Sequence, residues 1–254
     1  MRSALVVEWH KLRRSSTVRA TTMLMVLMLP GLAIGFLVLA RGGGPGAAAL
    51  KAQALVPGEG WQGYLGAAGQ VLAVGMFLGP GFVAAWVFGR EFADRTFSSL
   101  FALPVSRSAI AAAKLVVLTG WGLVVALLTV SITALAGLLA QVGPTAGADV
   151  GSGLLRLAAS AILSAIVATC VGLAASVGRG YLPGVGAVIL LVAAAQIAVL
   201  LGSGGWFPVA SPGLLAMAGS PGVPPVSATQ ILLVPLTALL AGSLTVRWWA
   251  RAEV

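Results

Sequence analysis

Long apolar runs separated by short polar segments set the pattern of this chain. A helix needs about 20 mostly apolar residues to cross about 30 Å of hydrocarbon. Six runs have that length: 21–39, 66–88, 115–140, 154–177, 184–201 and 229–246, none holding Asp or Glu. They predict an all-α membrane protein, with six transmembrane helices in one unit over 21–254 and a separate N-terminal segment over 1–20. A basic stretch precedes the first run, as in a secretory leader. That run outlasts the roughly 7–15 apolar residues of a leader and no convincing A-x-A site follows, so it is expected to remain as the first span.

The segments between the runs carry their own patterns. Over the N-terminal segment Leu5, Trp9 and Leu12 fall at i, i+4 and i+7, while Arg2, Lys11, Arg13 and Arg14 spread around the rest. An apolar stripe with a Trp in a basic setting describes a helix lying in the membrane interface; the alternative is a purely topogenic anchor. Between runs two and three, Asp94 is placed to N-cap a short amphipathic helix over 94–103 that Pro104 ends. Phe97, Leu100 and Phe101 share one face of it, with Arg95, Ser98 and Ser99 elsewhere and the charges Arg90, Glu91, Asp94 and Arg95 at its root. Acids add nothing to binding anionic lipid, so this helix suits docking onto a protein, the alternative being a helix resting on headgroups. Ser106 or Ser108 can cap the third span.

On the other side, 40–65 is rich in Gly and Ala with room for a helix near 47–55. Segment 202–228 has no charge, and Ser211, Pro212 and Gly219 mark a short helix over 212–218 that dips into the membrane edge or plugs a pathway. A loose linker is the alternative. Residues 178–183 form a tight turn. Pro30-Gly31 and Gly79-Pro80-Gly81 are expected to kink the first two spans. Gly31-x-x-x-Gly35 and Gly75-x-x-x-Gly79 permit close helix approach.

Composition narrows the function. The chain is 59% hydrophobic and 8% charged, against about 25% charged for soluble domains. Its net charge of +9 sits in short loops, which speaks for a membrane protein and against a nucleic-acid face. Twelve of the fifteen Lys and Arg residues fall on the N-terminal side of the membrane, leaving Arg41, Lys51 and Arg156 opposite. The positive-inside rule then places both termini in the cytosol. Cys170 is the lone cysteine and His10 the lone histidine, so a disulfide framework, a thiolate metal site and a His-based triad have no material. There is no G-x-x-x-x-G-K-[ST] phosphate loop. The apolar runs offer no Asp, Glu or His for a proton relay or for acid–base chemistry, and no charged or carbonyl filter motif for a channel. Such a bundle, with a docking helix and no energy source of its own, points to energy delivered by a separate subunit.

Two segments resemble those of ABC-2 type permeases: Glu8-Trp9-His10-Lys11-Leu12-Arg13-Arg14-Ser15 before the first span, and the run from Arg90 and Glu91 through Thr96 and Leu100 to Pro104-Val105-Ser106-Arg107. The family opens on a similar E-x-x-K-L-R-R-S and carries a similar E-F-x-x-x-T…L-L-x-L-P-V-S-R coupling run. The likeness extends to the small permeases related to bacitracin-type and lantibiotic-immunity exporters. It implies the ABC-2 permease fold, and a coupling role for Glu91, Asp94, Arg95, Thr96, Phe97, Leu100, Phe101, Pro104 and Arg107. Leu5, Glu8, Trp9, Lys11 and Leu12 would form the interfacial helix. It further implies a second permease chain, identical or homologous, and cytosolic ATPase subunits that bind the ATP and Mg, this chain holding no cofactor. Spans two and five border the path in such proteins, which makes Gln70 and Gln196 its candidate lining. The expectation is the membrane subunit of an ATP-driven exporter in the plasma membrane, surrounded by lipid, moving an amphiphilic compound such as an antibiotic, a peptide or a lipid-like molecule. The rival is a non-transporting scaffold or assembly subunit that docks a cytosolic ATPase. The nearly charge-free outer loops depart from many relatives.

Overall fold

The computed structural model describes residues 1–42, 46–56, 58–102, 104–143, 150–220 and 222–252. Six helices in it are long and apolar enough to cross a membrane: Ser16–Arg41, Gly60–Ala93, Arg107–Leu139, Val150–Val177, Tyr181–Leu200 and Ala228–Arg251. They are called the first to sixth spans below. A separate helix, Arg2–Arg14, precedes them, and Ser15 breaks the chain into the first span by accepting a hydrogen bond from the Val18 N–H.

The second span packs against the first, third, fourth and fifth, because small residues on successive faces let neighbours approach. Hydrocarbon gives no hydrophobic drive between helices, so close van der Waals fit has to hold them. A Cβ at Gly75 would lie 2.5 Å from Leu29, one at Gly69 would lie 2.9 Å from Ala216, and one at Gly79 would overlap the Met25 sulfur. The predicted Gly75/Gly79 approach is therefore the seat of the first span. A Cβ at Gly31 or Gly35 would meet no atom of a neighbouring element within 4 Å, so that pair faces away from the described bundle. Leucine at Gly31 is expected to leave the monomer's melting temperature in detergent unchanged, a check made by thermal unfolding.

The two proline sites behave differently. A π-helical turn, Leu24–Met28, precedes Pro30 in the first span. Proline has no N–H to return to the carbonyl four residues back, and a wider turn accommodates that gap. Pro80 lies inside a second span that continues without interruption from Gly60 to Ala93.

Helix ends shift what the sequence placed in loops. The second span runs past residue 88 to Ala93, and the third starts at Arg107, capped by Ser106, which accepts from the Ala109 N–H at 3.3 Å. Glu91 and Lys114 thereby become helical residues. Asp94 is not the N-cap of a helix over 94–103; it ends the second span, and the helical part of the loop is a 3₁₀ segment, Ser98–Ala102. The long helix continues because Phe88, Phe92 and Glu91 all find internal partners there. Leu103, the predicted end, lies outside the described residues, as does the side chain of Phe101.

The outer short helix is Ser211–Ala216. It packs against the second and fourth spans, with Ser211, Pro212 and Leu214 buried, so it is an inserted element and not a linker. Ser211 sits inside the helix and makes no cap; Ala210 precedes it. Gly219, at φ +91°, follows as the expected stop, since glycine takes that conformation without strain. The sixth span opens on a capping box: Ser227 Oγ accepts from the Gln230 N–H at 3.4 Å, and the Gln230 carboxamide oxygen accepts from the Ser227 N–H at 2.8 Å. Spans five and six turn most of their surface outward, with Leu190, Leu200, Leu239 and Leu240 exposed, as a hydrocarbon-facing surface requires.

Candidate functional site

The N-terminal helix, the second span and the third span meet in a four-membered ion cluster. Lys114 Nζ lies 2.9 Å from Glu8 Oε2 and 2.8 Å from Glu91 Oε1. Lys11 Nζ lies 3.1 Å from Glu8 Oε1 and 3.3 Å from Glu91 Oε1. Lys114 is 1% exposed, Glu91 3% and Glu8 6%. Buried charge of this kind survives only when it is paired and hydrogen-bonded, and two ammonium groups against two carboxylates make the cluster neutral. The Thr96 hydroxyl adds a 2.8 Å hydrogen bond to Glu91 Oε2. That bond ties the 94–106 loop to the cluster. A small cavity of about 10 Å³ beside it is bordered by Trp86 and Arg90, whose guanidinium lies 4.7 Å from the Trp86 ring centroid.

Burial by itself would lower the Lys11 pKa, but the Glu8 and Glu91 carboxylates outweigh it and hold the pKa above the ordinary value of 10.5. A cation whose pKa is raised by folding stabilises the fold fully below its unfolded value, and that contribution is lost as pH rises through the folded one. Docking of the N-terminal helix through Lys11 is therefore expected to persist to about pH 10 and weaken only above it. Limited proteolysis at Arg13 and Arg14 between pH 8 and 11 would show it; weakening near neutrality would contradict the assignment.

These contacts revise the predicted roles. The buried stripe of the N-terminal helix is Ala4, Glu8 and Leu12, with Leu5 half-buried and Trp9 exposed at 46%. The helix turns to give Lys114 a carboxylate, and Trp9 with Val6 is left on the outward face. Glu91 is not a surface contact for a partner, because both its oxygens are engaged inside the chain. Phe97 and Leu100 are also buried: Phe97 stacks on Phe92 at 4.6 Å and meets Trp249 edge-on at 5.4 Å. Arg107 donates to the carbonyls of Ala250 and Ala252. Exposed around the loop are Asp94, Arg95, Thr96, Ser98, Ser99 and Pro104, with the Asp94 carboxylate in electrostatic contact with Tyr181. Lys114, Trp249 and Ser176 escaped the sequence reading. For Lys114 a signal existed: a lysine flanked by Ala113 and Leu115, on the side of the membrane where the chain's carboxylates are Glu8, Glu91, Asp94 and Glu253.

Gln70 and Gln196 come together in a second place. Both line a groove of about 710 Å³ between the first, second and fifth spans, closed on one side by the outer short helix. Leu29, Leu32, Phe77 and Val192 supply its apolar walls, and Leu214 and Met217 its edge. Gln70 is half-buried and Gln196 exposed.

A family model described as "ABC-2 family transporter protein" matches residues 4–195. The chain belongs to the ABC-2 transporter family. No curated protein and no solved structure matches it. The ABC-2 match spans the N-terminal helix, the whole ion cluster, the 94–106 loop and Gln70, and ends just before Gln196. As an ABC-2 permease the chain is a transport component and a multi-pass protein of the plasma membrane, and its family generally works with a cytosolic ATPase. In the permease, the ion cluster lies on the side of the membrane that the Lys/Arg bias assigns to the cytosol.

Proposed function

We propose that this permease is the membrane half of an ATP-driven exporter for an amphiphilic compound. A separate cytosolic ATPase seats on the exposed side of the 94–106 loop, around Asp94, Arg95, Ser98 and Ser99, and a second permease chain completes the pathway. The observation that carries this reading is the Thr96–Glu91 hydrogen bond at the head of the buried ion cluster. Through it, a force on the loop reaches the second span directly and the first span by way of the N-terminal helix. Those spans are two walls of the groove, so movement of the loop alters the groove's width. The cargo class follows from the lining: apolar walls with two carboxamides suit an apolar body bearing a hydrogen-bonding group, and offer no counter-charge to an ion.

The test is co-purification of the permease with its ATPase in mild detergent, followed by ATP hydrolysis measured against compounds of graded polarity. Amphiphiles with an amide or hydroxyl group should stimulate hydrolysis and accumulate in inverted vesicles. A stable complex with neither stimulation nor accumulation would make the chain a scaffold. Because a net hydrogen bond is worth about 1 kcal/mol, Gln70→Leu or Gln196→Leu is expected to raise the half-stimulating concentration about 5-fold, with the maximal rate kept.

A further inference from the structure

The last turn of the sixth span is held far more firmly than the rest of that helix. Only 17% of the span's most apolar window is buried, yet Trp249 near its end is fully buried. The Trp249 ring meets Phe97 of the loop at 5.4 Å, Phe88 at 5.9 Å and Phe92 at 6.0 Å, each edge-on. Its indole N–H donates to Ser176 Oγ of the fourth span at 2.9 Å, and the Ser176 hydroxyl donates in turn to the Gly172 carbonyl at 2.7 Å. The neighbouring Trp248 meets Phe92 at 5.8 Å. A second grip acts at the other end of the loop, where the Arg107 guanidinium holds the carbonyls of Ala250, at 3.1 Å, and Ala252. Aromatic edge contacts add to the stabilisation that burial gives, and bonds from a charged donor are stronger than those between neutral groups. The loop is thus clasped to the sixth span at both its ends by different chemistry.

A helix that buries a single stripe along its length, Val234, Ala238, Ala241 and Thr245, and is gripped on several sides at its end follows that end when it moves. We propose that the final turn of the sixth span is a positioning strut for the 94–106 loop, with Trp249 and Arg107 as its positioning residues, so that loop and sixth span move as one body. The outer short helix, one edge of the groove, packs against the sixth span. Movement of the loop therefore reaches the groove by a second route, independent of the ion cluster. This rests on the loop being where the ATPase acts; the rigidity of the strut does not.

The test uses spin labels on Ser98→Cys and Ala250→Cys, both exposed positions, in a Cys170→Ser background diluted with unlabelled chain. A reference pair sits at Leu139→Cys and Leu155→Cys. In the parent protein the Ser98–Ala250 distance should be single and narrow, and the same with and without trapped ATP in the complex with its ATPase. Trp249→Ala or Arg107→Ala should broaden that distance while the reference pair stays narrow, which a general loss of folding would not do. Trp249→Phe, which keeps a ring against Phe97, should restore the narrow distance. The proposal is overturned if both alanine variants stay as narrow as the parent. It is equally overturned if trapping ATP shifts the parent's pair by a helical turn, about 5 Å. Failure of any ATPase to bind would remove the functional reading, and the nucleotide-free distances would still decide the strut.

Discussion

Lys114→Ala is expected to lower the stability of the permease by about 3–5 kcal/mol, the cost of breaking a buried ion pair from one side. The variant leaves Glu8 and Glu91, 6% and 3% exposed, facing each other with only the part-exposed Lys11 between them. Water cannot enter to solvate them without opening the contact between the N-terminal helix and the third span. Thermal unfolding in detergent, followed by the reactivity of the single thiol at Cys170, measures the loss. The physical cause has its own signature. Glu91→Gln on top of Lys114→Met should recover part of the stability that Lys114→Met alone removes, because the stranded charge goes with it. Coupling between such partners runs about 0.5–3 kcal/mol. A Lys114→Ala protein as stable as the parent would mean that the cluster opens readily, and with it the route from loop to groove.

Gly89→Ala should be a strongly damaging single-carbon change in the protein's interior. A Cβ there would lie 2.7 Å from the Gly180 carbonyl carbon and 2.8 Å from the Gly180 oxygen and the Tyr181 nitrogen. All three are backbone atoms and cannot rotate aside. Overpacking of this kind costs about 1–3 kcal/mol, and relief requires the 178–183 turn to move off the second span. That turn carries Tyr181, which stands in electrostatic contact with Asp94, so the surface on which we place the ATPase shifts as well. Gly79→Ala is the comparison: its new carbon would meet the buried Met25 thioether, a flexible side chain that yields at less cost than backbone does. The melting temperature should fall further in Gly89→Ala than in Gly79→Ala, with ATPase retention in a pull-down following the same order. The reverse order would refute the packing account.

Both predictions concern residues whose importance the linear pattern barely marks. Six spans were legible because a hydrocarbon core imposes length and apolarity locally, run by run. The Gly75/Gly79 approach and the inserted helix near 212–218 were legible for a similar reason: small residues, a proline and a glycine act where they stand. Asp94 was misread because an end signal does not say which neighbour will claim the adjacent turn. Phe97 and Leu100 were expected on a partner's side; Phe97 is buried in the chain's own aromatic cluster and Leu100 in its apolar core.

The sequence alone therefore determined that this is a six-span helical membrane protein without acid–base groups in its hydrocarbon-crossing runs, and its two motifs carried the family. Tertiary structure alone decided what the charged residues do. Lys114 and Glu8 are 106 positions apart, Lys11 and Glu91 are 80, and Trp249 and Ser176 are 73. Apolar length acts along the chain and can be read from it. Compensation of a buried charge acts between helices, and only their packing shows which partner stands opposite.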